Sequence, residues 1–198
     1  MPLRLVVLIS GTGSNMADLL HRSLSTPEAG IAVVAVGADR DAPGLEAPRS
    51  QGVDTFVVDF VEADSRDAWA DTLADTVESY APDLVVLSGL MRLVPPDFVR
   101  RFDGRLVNTH PSFLPDFPGP HAVADQLKAG VEMAGASIIA VDDGVDTGPV
   151  IVQQRVSVEP GDTAQTLHIR IKKTERQLLW DLVVELSSGE RTLPLQQK

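Results

Sequence analysis

The chain has 198 residues, 17 Lys+Arg against 28 Asp+Glu, a formal net charge of -11 and 43% hydrophobic residues. That apolar share excludes a disordered chain, the acidity argues against a nucleic-acid backbone binder, and the lack of cysteine excludes disulfides, thiolate catalysis and Cys-ligated metals. No apolar run approaches the roughly 18 residues of a membrane span, and MPLRLVVLISG has no small-residue cleavage site after it, so a single-domain cytoplasmic protein without a membrane partner is expected.

Short Val-, Ile- and Leu-rich runs recur at Leu3–Ile9, Ile31–Val36, Thr55–Phe60, Leu84–Leu87 and Leu106–Val107. They do not alternate, which fits strands buried on both faces of a parallel sheet. Helical patterns separate them. Over 64–80, Trp69, Leu73, Val77 and Tyr80 share one face, with Asp64 or Ser65 able to cap the start. Strand alternating with helix predicts right-handed βαβ units, hence an α/β fold with an open, mostly parallel, twisted sheet flanked by helices. Residues 1–110 form the Rossmann-like half. Helix 95–101 has an apolar face that suits either the core or a homodimer.

Residues 111–121, PSFLPDFPGPH, are dense in proline and read as a loop with fixed turns. A short helix is expected over 122–129, then two strands over 136–141 and 149–158. A long helix over 163–187 follows, with Asp162 or Thr163 as N-cap. Its apolar stripe is Leu167, Ile171, Leu178, Leu179, Leu182 and Leu186. Glu175 falls within that stripe, where a carboxylate is costly unless paired. It is either a border residue whose head reaches water or a buried functional group.

Three segments can carry chemistry. Ser10-Gly11-Thr12-Gly13-Ser14-Asn15 follows the first strand and opens a helix, whose free N–H groups and dipole suit an anion. A dinucleotide fingerprint needs a third glycine where Met16 stands, so a single phosphate is favoured. Asp39 ends the second strand, where a dinucleotide enzyme keeps its ribose-binding acid. Asn108 and His110 point to one side of an extended strand end, an amide donor beside a proton carrier. Asp142, Asp143 and Asp146 lie in a turn-rich loop from which one carboxylate can reach a histidine. They do not complete a calcium loop, and neither a G-x-S-x-G elbow nor an H-E-x-x-H pair is present. His21 and His168 read as helix-surface residues, while His121 closes the proline loop.

LISGTGSN at the start, GLMRLVPPDFV at 89–99, LVNTHPSFLPDFPGPH at 106–121 and GVDTGPVIVQQRV at 144–156 together resemble the phosphoribosylglycinamide formyltransferase family of purine synthesis. The resemblance covers nearly the whole chain in the expected order. It implies one formyltransferase domain over 1–198, with a nucleotide-binding half at 1–110 and a folate-binding half at 111–198. It implies 10-formyltetrahydrofolate as cosubstrate, 5-phosphoribosylglycinamide as acceptor, no metal and no nucleic-acid partner. The family's catalytic trio falls on Asn108, His110 and Asp146. Its ribonucleotide contacts fall on Gly11, Thr12, Gly13, Ser14, Asn15, Arg66 and Glu175. Its folate contacts fall on Leu90, Met91, Arg92, Leu93, Val94, Asn108, Ala140, Val141, Asp142, Asp143, Gly144 and Asp146. Ile139 stands where many members carry a histidine, and Thr109 where they often carry a larger aliphatic residue. Two related families share the catalytic segment. The methionyl-tRNA formyltransferases carry an added RNA-binding domain and the formyltetrahydrofolate hydrolases an added regulatory domain, and neither is expected here.

Overall fold

The computed structural model describes residues 1–194. Seven strands form one sheet in the order β3-β2-β1-β4-β5-β6-β7. They are β1 (Leu3–Ile9), β2 (Ile31–Ala38), β3 (Asp54–Val57), β4 (Leu84–Leu87), β5 (Leu106–His110), β6 (Met133–Ala140) and β7 (Val150–Ser157). The first five are parallel, while β6 and β7 are antiparallel to their neighbours. Six helices complete the fold: α1 (Ser14–Ser25), α2 (Glu46–Ser50), α3 (Arg66–Ser79), α4 (Pro96–Arg101), α5 (Ala122–Lys128) and α6 (Ala164–Ser188).

Continuous apolar runs make the strands because helices cover both faces. Val6 and Leu8 of β1 pack with Trp69, Leu73 and Val77 of α3 and Phe98 of α4. Leu5, Val7 and Ile9 face the other way, against Leu19 and Leu20 of α1 and Leu179, Leu182 and Val183 of α6. The apolar face of the predicted helix 95–101 is therefore spent in the core, since Phe98 and Val99 are buried. Ser65 caps α3 by accepting from the Ala68 N–H at 3.1 Å. Thr163 caps α6 through a capping box with Thr166.

Several boundaries differ from the sequence expectation, and local bonds explain two of them. β3 ends at Val57 rather than Phe60, because β2 ends at Ala38 and the chain follows it round. The Val58 and Phe60 N–H groups donate to the carbonyls of Ala38 and Asp39, each at 3.0 Å. Trp69 fixes this corner, donating Nε1–H to the Val58 carbonyl at 2.8 Å with Phe60 edge-on at 5.2 Å. Removing that fully buried ring would cost about 3–5 kcal/mol. β5 runs on to His110, because β6 supplies an antiparallel partner as far as the pair His110–Ser137.

Strand order reverses between β1, which leads outward to β2 and β3, and its other neighbour β4. In open α/β sheets such a switch point opens a crevice at the carboxyl ends of the strands. The Ser10–Asn15 loop leaves β1 there, Ser88 and Gly89 leave β4, and β5 ends beside them.

Candidate active site

Two clefts open along this edge and share a wall of Gly89, Met91, Thr109, Pro111 and Pro120. The first, of about 680 Å³, is lined by Gly11, Thr12, Gly13, Ser14, Asn15 and Glu175 among others. Gly13 is the N-cap of α1 in a left-handed conformation, and no side chain caps that helix. The first intrahelical bond is Ala17 N–H to the Gly13 carbonyl at 2.8 Å. The N–H groups of the opening turn thus face the cleft with the positive end of the helix dipole. Met16 is fully buried in the core, so the missing third glycine is a packing residue.

Glu175 is 3% exposed and lies across the chain from Asn15, whose Nδ2 donates to its carboxylate at 3.0 Å. Burial raises its pKa above the ordinary glutamate range, and the Asn15 hydrogen bond, Lys172, His110 and Arg176 oppose that rise. It is a cleft-lining acid, not a border residue. Ser88 adds a second polar group to this wall. Its hydroxyl is buried and has no partner among the described residues.

Arg66 is an exposed residue at the start of α3 and does not line this cleft. Arg40 and Lys172 supply the cations instead, with His121 and His168 on the same wall. His168, read above as a surface residue, turns inward, and burial followed by Lys172 pushes its pKa down. The available signal was spacing: 168, 172 and 175 lie on one edge of α6, and Glu175 was already marked on it.

The second cleft, of about 430 Å³, is lined by Leu90, Met91, Arg92, Leu93 and Val94 on one side and by Val141, Asp142, Gly144 and Asp146 on the other. Asn108 and His110 form its floor. Ala140 and Asp143, also expected here, do not line it. Ala140 is in the ladder, donating its N–H to the Pro149 carbonyl at 2.9 Å, and Asp143 is exposed. Ile139 pairs with Asn108 across the β5–β6 ladder and faces this cleft.

Asp146 brings together the three residues expected to be catalytic. Its Oδ1 accepts from Asn108 Nδ2 at 3.3 Å, and its Oδ2 accepts from the Gly119 N–H at 2.8 Å. The same Oδ2 lies 3.3 Å from His110 Nδ1. His110 is 4% exposed, and its Nε2 is 3.0 Å from the Phe117 carbonyl. Both neighbours of the ring are acceptors, so only a ring carrying hydrogen on both nitrogens donates to both. Asn108 uses one amide hydrogen on Asp146 and keeps the other for the cleft. Among the described residues, no group of His, Asp and Glu comes together that could hold a metal ion.

The formyl transferase family model matches residues 3–183. A phosphoribosylglycinamide formyltransferase of Mycobacterium tuberculosis is 47% identical over 187 residues, 94% of this chain and 86% of that one. Its Escherichia coli counterpart is 38% identical over 92% of this chain and 85% of its own. The crystal structure of glycinamide ribonucleotide transformylase 1 from Symbiobacterium toebii superposes with a TM-score of 0.90 at 39% identity, covering 95% of this chain and 89% of that one. That of the phosphoribosylglycinamide formyltransferase from Bacillus halodurans gives 0.89 at 33% identity, covering 98% of this chain and all of the other. With the family model matched over residues 3–183, relatives 47% and 38% identical across most of their length, and a matching fold, the chain belongs to the formyl transferase family, among its phosphoribosylglycinamide formyltransferases.

Proposed function

We propose that this chain transfers the formyl group of 10-formyltetrahydrofolate to the amine of 5-phosphoribosylglycinamide, giving formylglycinamide ribonucleotide and tetrahydrofolate in purine biosynthesis. The observation that carries the reading is the shared wall, which joins an anion-binding cleft to a mostly apolar one beside Asn108, His110 and Asp146. The phosphate rests on the opening turn of α1, with Arg40 and Lys172 near it. Glu175 holds the glycinamide end. The folate ring lies between residues 90–94 and the 141–146 loop, whose backbone groups suit its donor–acceptor edge.

In this reading the amine nitrogen attacks the formyl carbon, and the carbonyl oxygen becomes an oxyanion. The free hydrogen of the Asn108 amide meets that charge, as does the positive ring of His110. Asp146 orients the ring. The amine gives up a proton, N10 of the folate gains one, and collapse of the tetrahedral intermediate breaks the carbon–N10 bond. One well-placed oxyanion donor is worth about 3–4 kcal/mol, and holding the two reactants together supplies a comparable or larger part of the barrier. Both substrates are anionic and the chain carries -11, so local donors must outweigh the overall field. A cytoplasmic setting goes with this reading. No helix among the described residues is long and apolar enough to cross a membrane.

The test is turnover of the purified protein with each substrate alone and with both. Tetrahydrofolate should form only when both are present. Folate turnover without the ribonucleotide would point to a hydrolase, and no turnover with both would overturn the proposal.

A further inference from the structure

Asp39 is 1% exposed at the end of β2, and none of the steps above uses it. Its place is that of a ribose-binding acid, yet its oxygens are taken. Arg40 grips both, Nη2 to Oδ2 at 2.8 Å and Nε to Oδ1 at 3.3 Å. Arg92 Nε meets Oδ2 at 2.6 Å. Arg40, the nearby Ser10 hydroxyl and Arg92 together hold its pKa down at about 2 despite burial. Ser10 in turn accepts the Met91 N–H at 2.7 Å, and Met91 is part of the shared wall.

The two arginines serve different clefts. Arg40 lines the ribonucleotide cleft and Arg92 the folate cleft. Arg92 lies over the Phe60 ring, its guanidinium carbon 4.0 Å from the centroid. Held by Nε on one edge and by the ring on one face, it leaves both Nη groups without a partner among the described residues. A guanidinium fixed in that way presents its fork to an anion in a set direction.

We propose that Asp39 is a positioning residue for both substrates: one buried carboxylate fixes Arg40 on the ribonucleotide cleft and Arg92 on the folate cleft. It touches neither substrate. It sets the direction of two cations that do. The proposal rests on the formyl-transfer reading for the identity of the two ligands.

The test is titration calorimetry of each substrate separately, with steady-state kinetics alongside. Asp39→Asn should weaken both affinities about tenfold and raise both KM values similarly, with a smaller fall in kcat. Arg92→Gln should weaken only the folate, and Arg40→Gln only the ribonucleotide. Asp39→Asn added to Arg92→Gln should weaken folate binding by less than twofold more, because Asp39 acts through Arg92. A merely structural Asp39 would lower the melting temperature and leave both affinities as in the wild type, which overturns the proposal. If Asp39→Asn does not fold, Asp39→Glu keeps the charge and displaces it by one methylene. Both affinities should then shift at least threefold, and no shift is again fatal. Wild-type protein that binds both compounds without turnover sinks the formyl-transfer reading alone. Wild-type protein that binds neither sinks both.

Discussion

Asn15 and Glu175, 160 residues apart, meet through a 3.0 Å hydrogen bond that joins the first helix to the last. The bond satisfies one oxygen of a carboxylate that the surrounding α6 stripe would otherwise reject. Asn15 Oδ1 in turn accepts from Arg176 Nε at 3.3 Å.

Glu175→Gln should stabilise the free protein at neutral and alkaline pH and impair it as an enzyme. The folded-state pKa of Glu175 is raised by burial. Its contribution to stability is therefore full below the ordinary glutamate value of 4.5 and is lost as pH rises through the raised value. The neutral isostere escapes that loss, so its advantage in melting temperature should grow from pH 5 to pH 8. Turnover should fall about 100-fold, mainly through KM for the ribonucleotide. Melting scans across pH and a kinetic comparison check both halves. An advantage that shrinks with pH would contradict the assignment.

Asp146→Asn should cut kcat about 10³-fold with little change in melting temperature. Asp146 has φ +54°, which asparagine tolerates as well as aspartate does, so the exchange adds no backbone strain. The new amide offers His110 Nδ1 a donor where it had an acceptor. His110→Ala should be at least as severe. Near-normal turnover in either variant removes that residue from the mechanism.

Gly13→Ala should weaken ribonucleotide binding and the fold together. At φ +60° a Cβ is strained, and it would stand 3.0 Å from Met16 Cε and 3.1 Å from Ile9 Cδ1. The expected cost is about 1–2 kcal/mol of stability, with KM for the ribonucleotide raised about tenfold or more. Folate binding, measured alone, should change by less than twofold.

Ser88→Ala separates ligand contact from packing. A buried hydroxyl without a partner costs the free protein about 1–3 kcal/mol, so alanine should raise the melting temperature. If the hydroxyl serves the ribonucleotide, KM for that substrate should rise about three- to tenfold. A higher melting temperature with unchanged KM would leave Ser88 outside the site.

The sequence carried the architecture well because the central strands β1, β2, β4 and β5 are mostly buried on both faces and their apolar runs are nearly continuous. The glycine loop and the Asn108–His110 pair were legible because they rely on local geometry, a strand end and a two-residue repeat. Arg66 was not, because which basic side chain reaches a cleft depends on the path of a loop, and here Arg40 on the β2 exit reaches it. His168 and Lys172 were not legible because they flank the apolar stripe of α6, where a polar residue reads equally as solvent-facing until the cleft beside it is known. Asp39 stood where a ribose-binding acid would be, but its two arginine partners come from the next residue and from one 53 positions away. Only the arrangement of β1, β2 and β4 brings Arg92 to it.

The uncapped start of α1 has a consequence for how the empty protein breathes. No side chain caps its opening amides, so in the proposed reading the substrate phosphate completes the helix as a capping side chain does elsewhere. The amide hydrogens of Ser14, Asn15 and Met16 should exchange readily in the free protein and slow sharply with ribonucleotide bound. Recognition at this loop is then the last step of folding for that turn, performed by the substrate.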